Sequence, residues 1–271
     1  MPELPEVETT VRGLRPVLEG HVLTRVEPRR ADLRRAFPVD LRQQLTGARV
    51  TVLSRRAKYG IVETDRNVAM VFHLGMSGRW RIAPESIGTH DHLVLETDAG
   101  VRLALNDARR FGSVDLVAID TLDAWPPFAA LGPEPLGSSL TGAVLAAAFA
   151  GRAAPIKALL LDQRIVAGLG NIYVCEALNL ARIKPAKPAG QVAHAALERL
   201  VAAIRAVLIA AIEAGGSTLR DYARPDGQLG YFAKQWRVYG RAGEACPCGR
   251  GMVMRYADGG RSTFWCPRCQ R

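Results

Sequence analysis

Beyond the first twenty or so residues, the spacing of apolar residues along this chain passes from a period near two to a period near 3.6, and few folds accommodate that change. From about Val22 to Ile119, short β-branched and apolar runs recur, among them Val50 to Leu53, Val68 to Phe72 and His92 to Leu95. Thr97-Asp98-Ala99-Gly100 reads as a hairpin turn, after which Val101, Leu103 and Leu105 alternate with other residues, the pattern of a half-buried strand. Several such strands predict a β-sandwich or barrel. Past a proline- and glycine-rich stretch from Trp125 to Gly137, helical spacing takes over near residues 141–150, 155–163, 171–181 and 192–214. In the last of these, Leu197, Leu200, Val201, Ile204, Leu208 and Ala211 form one apolar face. Strands followed by helices define an α+β chain, and 271 residues favour more than one domain. The expected divisions are a strand-rich domain at 1–125, a linker at 126–140, a helical domain at 141–235 that ends in a long loop at 215–234, and a terminal module at 236–271.

The strand-rich domain is preceded by a helical stripe, Val7, Val11, Leu14 and Leu18. Pro5 suits its first turn and Gly20 its end, whereas Pro16 predicts a kink or an early stop. A helix packed there would fix the chain terminus in space. If Met1 is removed, that terminus is the secondary amine of Pro2, which titrates at about 7.7 to 8.0 and is partly neutral and nucleophilic at physiological pH. Glu3 beside it is placed to move protons. The plain alternative is a frayed acidic tail.

Charge points to a polyanionic partner. The net charge is +10, which favours nucleic acid or an anionic surface. Seven arginines against two acids between Arg237 and Arg271 place half of it in the last eighth of the chain. No apolar run is long enough to span a bilayer, and the start lacks the basic and apolar regions of a secretory signal. A soluble intracellular protein is therefore expected, in which five cysteines serve as ligands or buried thiols rather than disulfides. Cys246, Cys248, Cys266 and Cys269 approach the spacing of a zinc ribbon, with 17 residues between the pairs, and four thiolates would make a closed structural Zn2+ site. The first pair has one intervening residue where such knuckles usually have two, so a metal-free finger and a weakened site stay open. Cys175 reads as a small buried apolar residue.

Three further segments stand apart from core patterning. His73-Leu74-Gly75-Met76-Ser77-Gly78 and Asn106 to Gly112 are tight turns carrying large side chains. Gly168-Leu169-Gly170-Asn171 precedes a helix, where backbone amides can approach a phosphate, although glycines also mark plain interhelical turns.

Taken together, Pro2 to Glu8, Arg55 to Tyr59, His73 to Gly78, His90-Asp91-His92, Asp107 to Gly112, Leu131 to Leu136, Gly168 to Glu176, Tyr231-Phe232, Val238 to Arg241 and the cysteine module resemble bacterial formamidopyrimidine-DNA glycosylases over essentially the whole chain. The resemblance implies an N-terminal β-sandwich flanked by helices, a helix-two-turn-helix domain and a zinc finger. It implies excision of oxidised purines from double-stranded DNA through a Schiff base on Pro2, with Glu3 as proton donor and acceptor and with β and δ elimination. Met76, Arg109 and Phe111 match the residues that fill the space left by a flipped nucleotide, with Arg109 facing the opposite cytosine. Lys58, Asn171 and Arg261 match phosphate-binding positions, and His90 and Lys157 match further DNA or lesion contacts. The 215–234 segment matches the loop that covers the flipped base. Ala108 departs from the proline usual at that position, and the Cys246-Pro247-Cys248 spacing is a second departure. The implied protein is a cytoplasmic, nucleoid-associated monomer with one structural Zn2+.

Other readings compete. An endonuclease VIII type, acting on oxidised pyrimidines, usually has glycine where Leu4 stands and lacks the combination of Met76, Arg109 and Phe111. A non-catalytic DNA-binding homologue has no use for the retained Pro2 and Glu3. A zinc-ribbon protein of the ribosomal or transcription-factor kind accounts for the charge and cysteines but not for the acidic first helix.

Overall fold

The computed structural model describes residues 1–217 and 231–271. Two compact units emerge, one built from residues 1–129 with the described part of 214–231, the other from 130–213 and 232–271. The first division lies inside the expected linker. The start of the 215–234 loop, in contrast, groups with the strand-rich unit and not with the helices, because the buried Glu6 carboxylate accepts the Ser217 backbone N–H at 2.8 Å. Residues 218–230, which hold most of the segment expected to cover a base, lie outside the described residues.

In the first unit, α1 (Leu4–Leu18) packs on two antiparallel four-stranded sheets. One sheet has the order β1-β6-β7-β5, from Leu23–Pro28, Asp91–Thr97, Arg102–Asn106 and Arg79–Ile82; the other has the order β2-β3-β4-β8, from Val50–Arg56, Tyr59–Thr64, Val68–His73 and Ser113–Ala118. A short α2 (Leu41–Leu45) completes the layer. The apolar stripe of α1 joins Leu23, Leu53, Met70, Phe72, Trp80, Leu93 and Leu105 in one core, which is the expected sandwich with its inward-facing alternation. Pro16 does not end α1, which runs to Leu18. Its missing N–H leaves the Arg12 carbonyl without a helical donor, and the buried Leu14 and Leu18 on either side hold the last turn to the core.

The second unit follows α3 (Pro126–Ala129) with α4 (Gly142–Phe149), α5 (Ile156–Leu160), α6 (Asn171–Leu180) and α7 (His194–Glu213). The expected face of α7 is buried along its length. The hairpin β9 (Met254–Asp258) and β10 (Arg261–Trp265) forms the finger. Glu176 on α6 anchors it: its carboxylate accepts the backbone N–H groups of Arg237, Val238 and Tyr239 at 2.8 to 2.9 Å. No described helix is long and apolar enough to cross a membrane.

Candidate active site and nucleic-acid interface

The chain start is rigid. Glu3 is the N-cap of α1 and only 3 % exposed. Its backbone N–H donates to Glu6 Oε2 at 2.8 Å, and Glu3 and Glu6 form a reciprocal capping box, which satisfies orphan donors at the first turn. Pro2 is buried beside it. One turn on, Glu8 ties the helix to the β2–β3 hairpin, pairing with Arg12 at 2.8 Å and Arg55 at 3.1 Å. Burial pushes the Glu8 carboxyl upward, but the two guanidinium groups outweigh it and hold it below the usual range.

Arg55 also donates to the Ala57 carbonyl at 2.8 Å, bracing a two-residue turn between Arg56 and Tyr59. Ala57 takes φ +52° there, a left-handed conformation that costs a residue with a Cβ on the order of 1 kcal/mol. The turn carries Lys58, which is only 7 % exposed; lysines at hairpin tips are ordinarily solvated.

His73, given no role by its sequence position, lies close enough for the Lys58 charge to act on it. Burial first, then Lys58, lowers its pKa from 6.5 to about 4. The Gly75 N–H donates to His73 Nδ1 at 3.0 Å, which requires that nitrogen to be unprotonated. A histidine with a depressed folded pKa binds fewer protons than the unfolded chain, so its contribution to stability is full above pH 6.5 and is lost as pH falls toward 4. Urea titrations should show a loss of about 2 kcal/mol between pH 7 and pH 5 that is absent in His73→Gln. Equal losses in both proteins would count against a buried neutral imidazole.

Two turns of the first unit interlock. Asp107, fully buried, accepts the Ser77 hydroxyl at 2.6 Å and the Gly112 N–H at 2.8 Å, and Ser77 Oγ accepts the Arg109 N–H at 3.1 Å. A Cβ on Gly75 would stand 2.3 Å from the Phe111 carbonyl carbon, so only glycine permits the approach. The Ala108 position thus lacks proline's fixed φ but lies in a turn restrained from both sides. The result is a fixed platform from which Phe111 projects 45 % exposed, with the Arg109 guanidinium 5.0 Å from its ring centroid. Met76 is half-buried in the partner turn. His90 is exposed, and its carbonyl accepts the Asp107 N–H at 2.9 Å.

The second unit gathers Lys157, Asn171 and the finger. Asn171 opens α6, and its Nδ2 donates to the Ser262 carbonyl at 2.9 Å, while its buried Oδ1 has no hydrogen-bond partner. Lys157, expected at a DNA or lesion contact, is instead 2 % exposed and donates to Thr263 Oγ1 at 2.7 Å. Burial lowers its pKa. Both side chains therefore grip β10 immediately after Arg261, which is exposed. No sequence pattern shows that a lysine turns inward; the hydroxyl that receives it is 106 residues away.

The four finger cysteines converge, with all Sγ atoms within 4.8 Å of one another. Cys246 and Cys269 lie 3.9 Å apart, and Cys248 and Cys266 3.8 Å. Tetrahedral Zn–S bonds of about 2.3 Å give S–S edges of about 3.8 Å, so the set fits a metal despite the short Cys246-Pro247-Cys248 link. The turn after Cys248 closes it: Gly249, at φ +69°, donates to the Cys246 carbonyl at 2.9 Å.

Family models for the formamidopyrimidine-DNA glycosylase N-terminal domain and H2TH domain match residues 1–114 and 131–223. The chain belongs to the formamidopyrimidine-DNA glycosylase family. It is 72 % identical over full length to the formamidopyrimidine-DNA glycosylase of Rhizorhabdus wittichii and 70 % identical to that of Novosphingobium aromaticivorans, each covered completely. Among solved structures, Lactococcus lactis Fpg in complex with DNA containing an abasic site is 34 % identical over all of both chains, with a TM-score of 0.92. The MutM (Fpg) protein of Thermus thermophilus is 39 % identical over 99 % of this chain and 98 % of that one, with a TM-score of 0.89. For this family member, the α+β architecture of sandwich, H2TH domain and cysteine finger is thus that of its relatives.

Proposed function

We propose that this chain is a bifunctional DNA glycosylase and abasic-site lyase of base excision repair, acting on oxidised purines, among them 8-oxoguanine and formamidopyrimidines, in duplex DNA. The observation that carries the reading is the locked start of α1, where Pro2 and Glu3 are buried together and the Glu3–Glu6 capping box fixes the backbone. Such a terminus meets the geometric demand of nucleophilic catalysis, which a frayed one does not.

The Pro2 nitrogen, freed of Met1, attacks C1′ of the extruded nucleoside. The N–C1′ bond forms, the glycosidic bond breaks, and the base leaves with its electron pair and a proton. Glu3 protonates O4′ as the sugar ring opens, and the Pro2 nitrogen becomes an iminium. Glu3, left as a carboxylate, accepts a C2′ proton as the 3′ phosphate leaves; loss of the C4′ proton expels the 5′ phosphate, and water then hydrolyses the iminium, releasing the sugar remnant as an aldehyde and restoring the Pro2 amine. Lys58, Asn171 and Arg261 hold backbone phosphates, Arg109 and Phe111 with Met76 occupy the vacated stack, and His90 adds a DNA contact. Lys157 supports the β10 hairpin that presents Arg261. Cys246, Cys248, Cys266 and Cys269 hold one Zn2+, which would supply structural cross-linking and no chemistry.

The test is borohydride reduction on duplex DNA carrying 8-oxoguanine opposite cytosine. A covalent protein–DNA adduct through the N-terminal residue is expected. Tight binding without an adduct would sink the enzymatic reading.

A further inference from the structure

A basic cavity of about 310 Å³ lies in the second unit beside the cysteine cluster, lined by Arg182, Arg250, Arg268 and Arg271 with Cys248 and Cys269. No acidic side chain lines it. Arginines elsewhere are commonly paired with carboxylates, as Arg12, Arg35, Arg102 and Arg164 are. Among the described residues, none of the four cavity guanidinium groups has a carboxylate within ion-pair distance. Even with the charge of about −2 that four thiolates around one Zn2+ would bring beside them, the four arginines leave the concavity positive, which attracts a further anion.

Two local features hold them there. Arg182 follows α6 as the left-handed residue of a Schellman turn, at φ +60°, with Arg182 N–H donating to Asn179 at 3.1 Å and Ile183 N–H to Leu178 at 2.9 Å. Glycine is the residue that this position ordinarily takes; an arginine there keeps backbone strain in exchange for a charge in the cavity. Gly251 leaves room for the stem of Arg268, since a Cβ would stand 2.5 Å from Arg268 Cγ.

The cavity is separate from the phosphate positions assigned above. Arg261 begins β10 and Cys266 follows its end, which at about 3.3 Å per residue sets them about 16 Å apart. We infer that this arginine cavity is a second phosphate-binding site, which takes the backbone of DNA outside the lesion contacts and serves binding to undamaged duplex. Planar guanidinium forks suit phosphodiester oxygens. The inference rests on the DNA-binding reading of the chain but not on its chemistry.

The experiment uses the full chain and a long undamaged duplex, with affinity measured against salt. The double variant Arg182→Gln, Arg250→Gln should lower the slope of log K against log salt by about 2, while single-turnover excision from a saturating short lesion duplex stays unchanged. Arg182→Gly should lower the slope by about 1 and raise Tm, a divergence that a purely structural arginine would not produce. An unchanged slope in both variants overturns the inference. So does a cavity that binds inorganic tripolyphosphate while the DNA slope stays the same, which would mark a small-anion site. Because the slope is read on undamaged DNA, it decides the matter whether or not excision occurs.

Discussion

A chain that keeps Met1, or carries any N-terminal extension, is expected to lose base excision by about four orders of magnitude or more and to bind lesion duplex as before. The reason is electronic before it is steric. With Met1 attached, the Pro2 nitrogen is a tertiary amide whose lone pair is delocalised into the carbonyl, so it can neither attack C1′ nor become an iminium. The rest of the machinery stays in place: the capping box uses the Glu3 backbone N–H and the Glu6 carboxylate, and the phosphate and wedge residues lie on other elements. Affinity and chemistry should therefore separate. Mass spectrometry establishes the state of the terminus, single-turnover kinetics gives the rate, and a binding titration gives the affinity. Excision at the normal rate by a fully blocked chain would eliminate Pro2 as nucleophile.

How much of this arrangement is legible in sequence depends on the distance over which each interaction acts. The sandwich strands, the face of α7 and the stripe Val7, Val11, Leu14 and Leu18 are set by burial on one side of a periodic element, which spacing alone reveals. Pro16 shows the limit of local rules, because the packing of Leu14 and Leu18 on the core carries the helix past it. The platform under Phe111 was not readable: it rests on Ser77 meeting Asp107 and on Gly75 meeting Phe111, across 30 and more residues. Nor could sequence give the inward turn of Lys157 or the bond from Ser217 to Glu6, 211 residues apart. The chemistry open to Pro2 and Glu3 is legible from a terminal proline amine beside an acid, whereas the roles of Lys58 and Arg261 are implied by family resemblance and not by periodicity. The segment that holds His73 stands out in the sequence but the neutrality of the imidazole does not, since it follows from burial and from Lys58 on another element.

The second large effect concerns the finger. Replacing Cys266 by Ser should remove bound metal and weaken binding to lesion duplex by about 100-fold or more. The module is too small to stand on its own core, which comprises little beyond Cys175, Val238, Cys246, Val253, Phe264 and Cys266. Structural zinc in such modules supplies about 10 kcal/mol or more of folding free energy, far above what these side chains provide. Cys266 is also fully buried, and its backbone N–H donates to Gln270 Oε1 at 2.7 Å. That oxygen accepts from Asn179 at 3.0 Å, and Gln270 Nε2 donates to the Ile183 carbonyl at 2.9 Å. Loss of the knuckle would thus loosen the finger's attachment to α6 as well as β10, and with β10 the presentation of Arg261. Calorimetry should show the sandwich unit still melting cooperatively, because none of its core residues belongs to the finger. Metal analysis and a binding titration check the rest. A Cys266→Ser protein that holds no metal yet binds lesion DNA at full affinity would show that the cysteine cluster does not organise the finger for DNA.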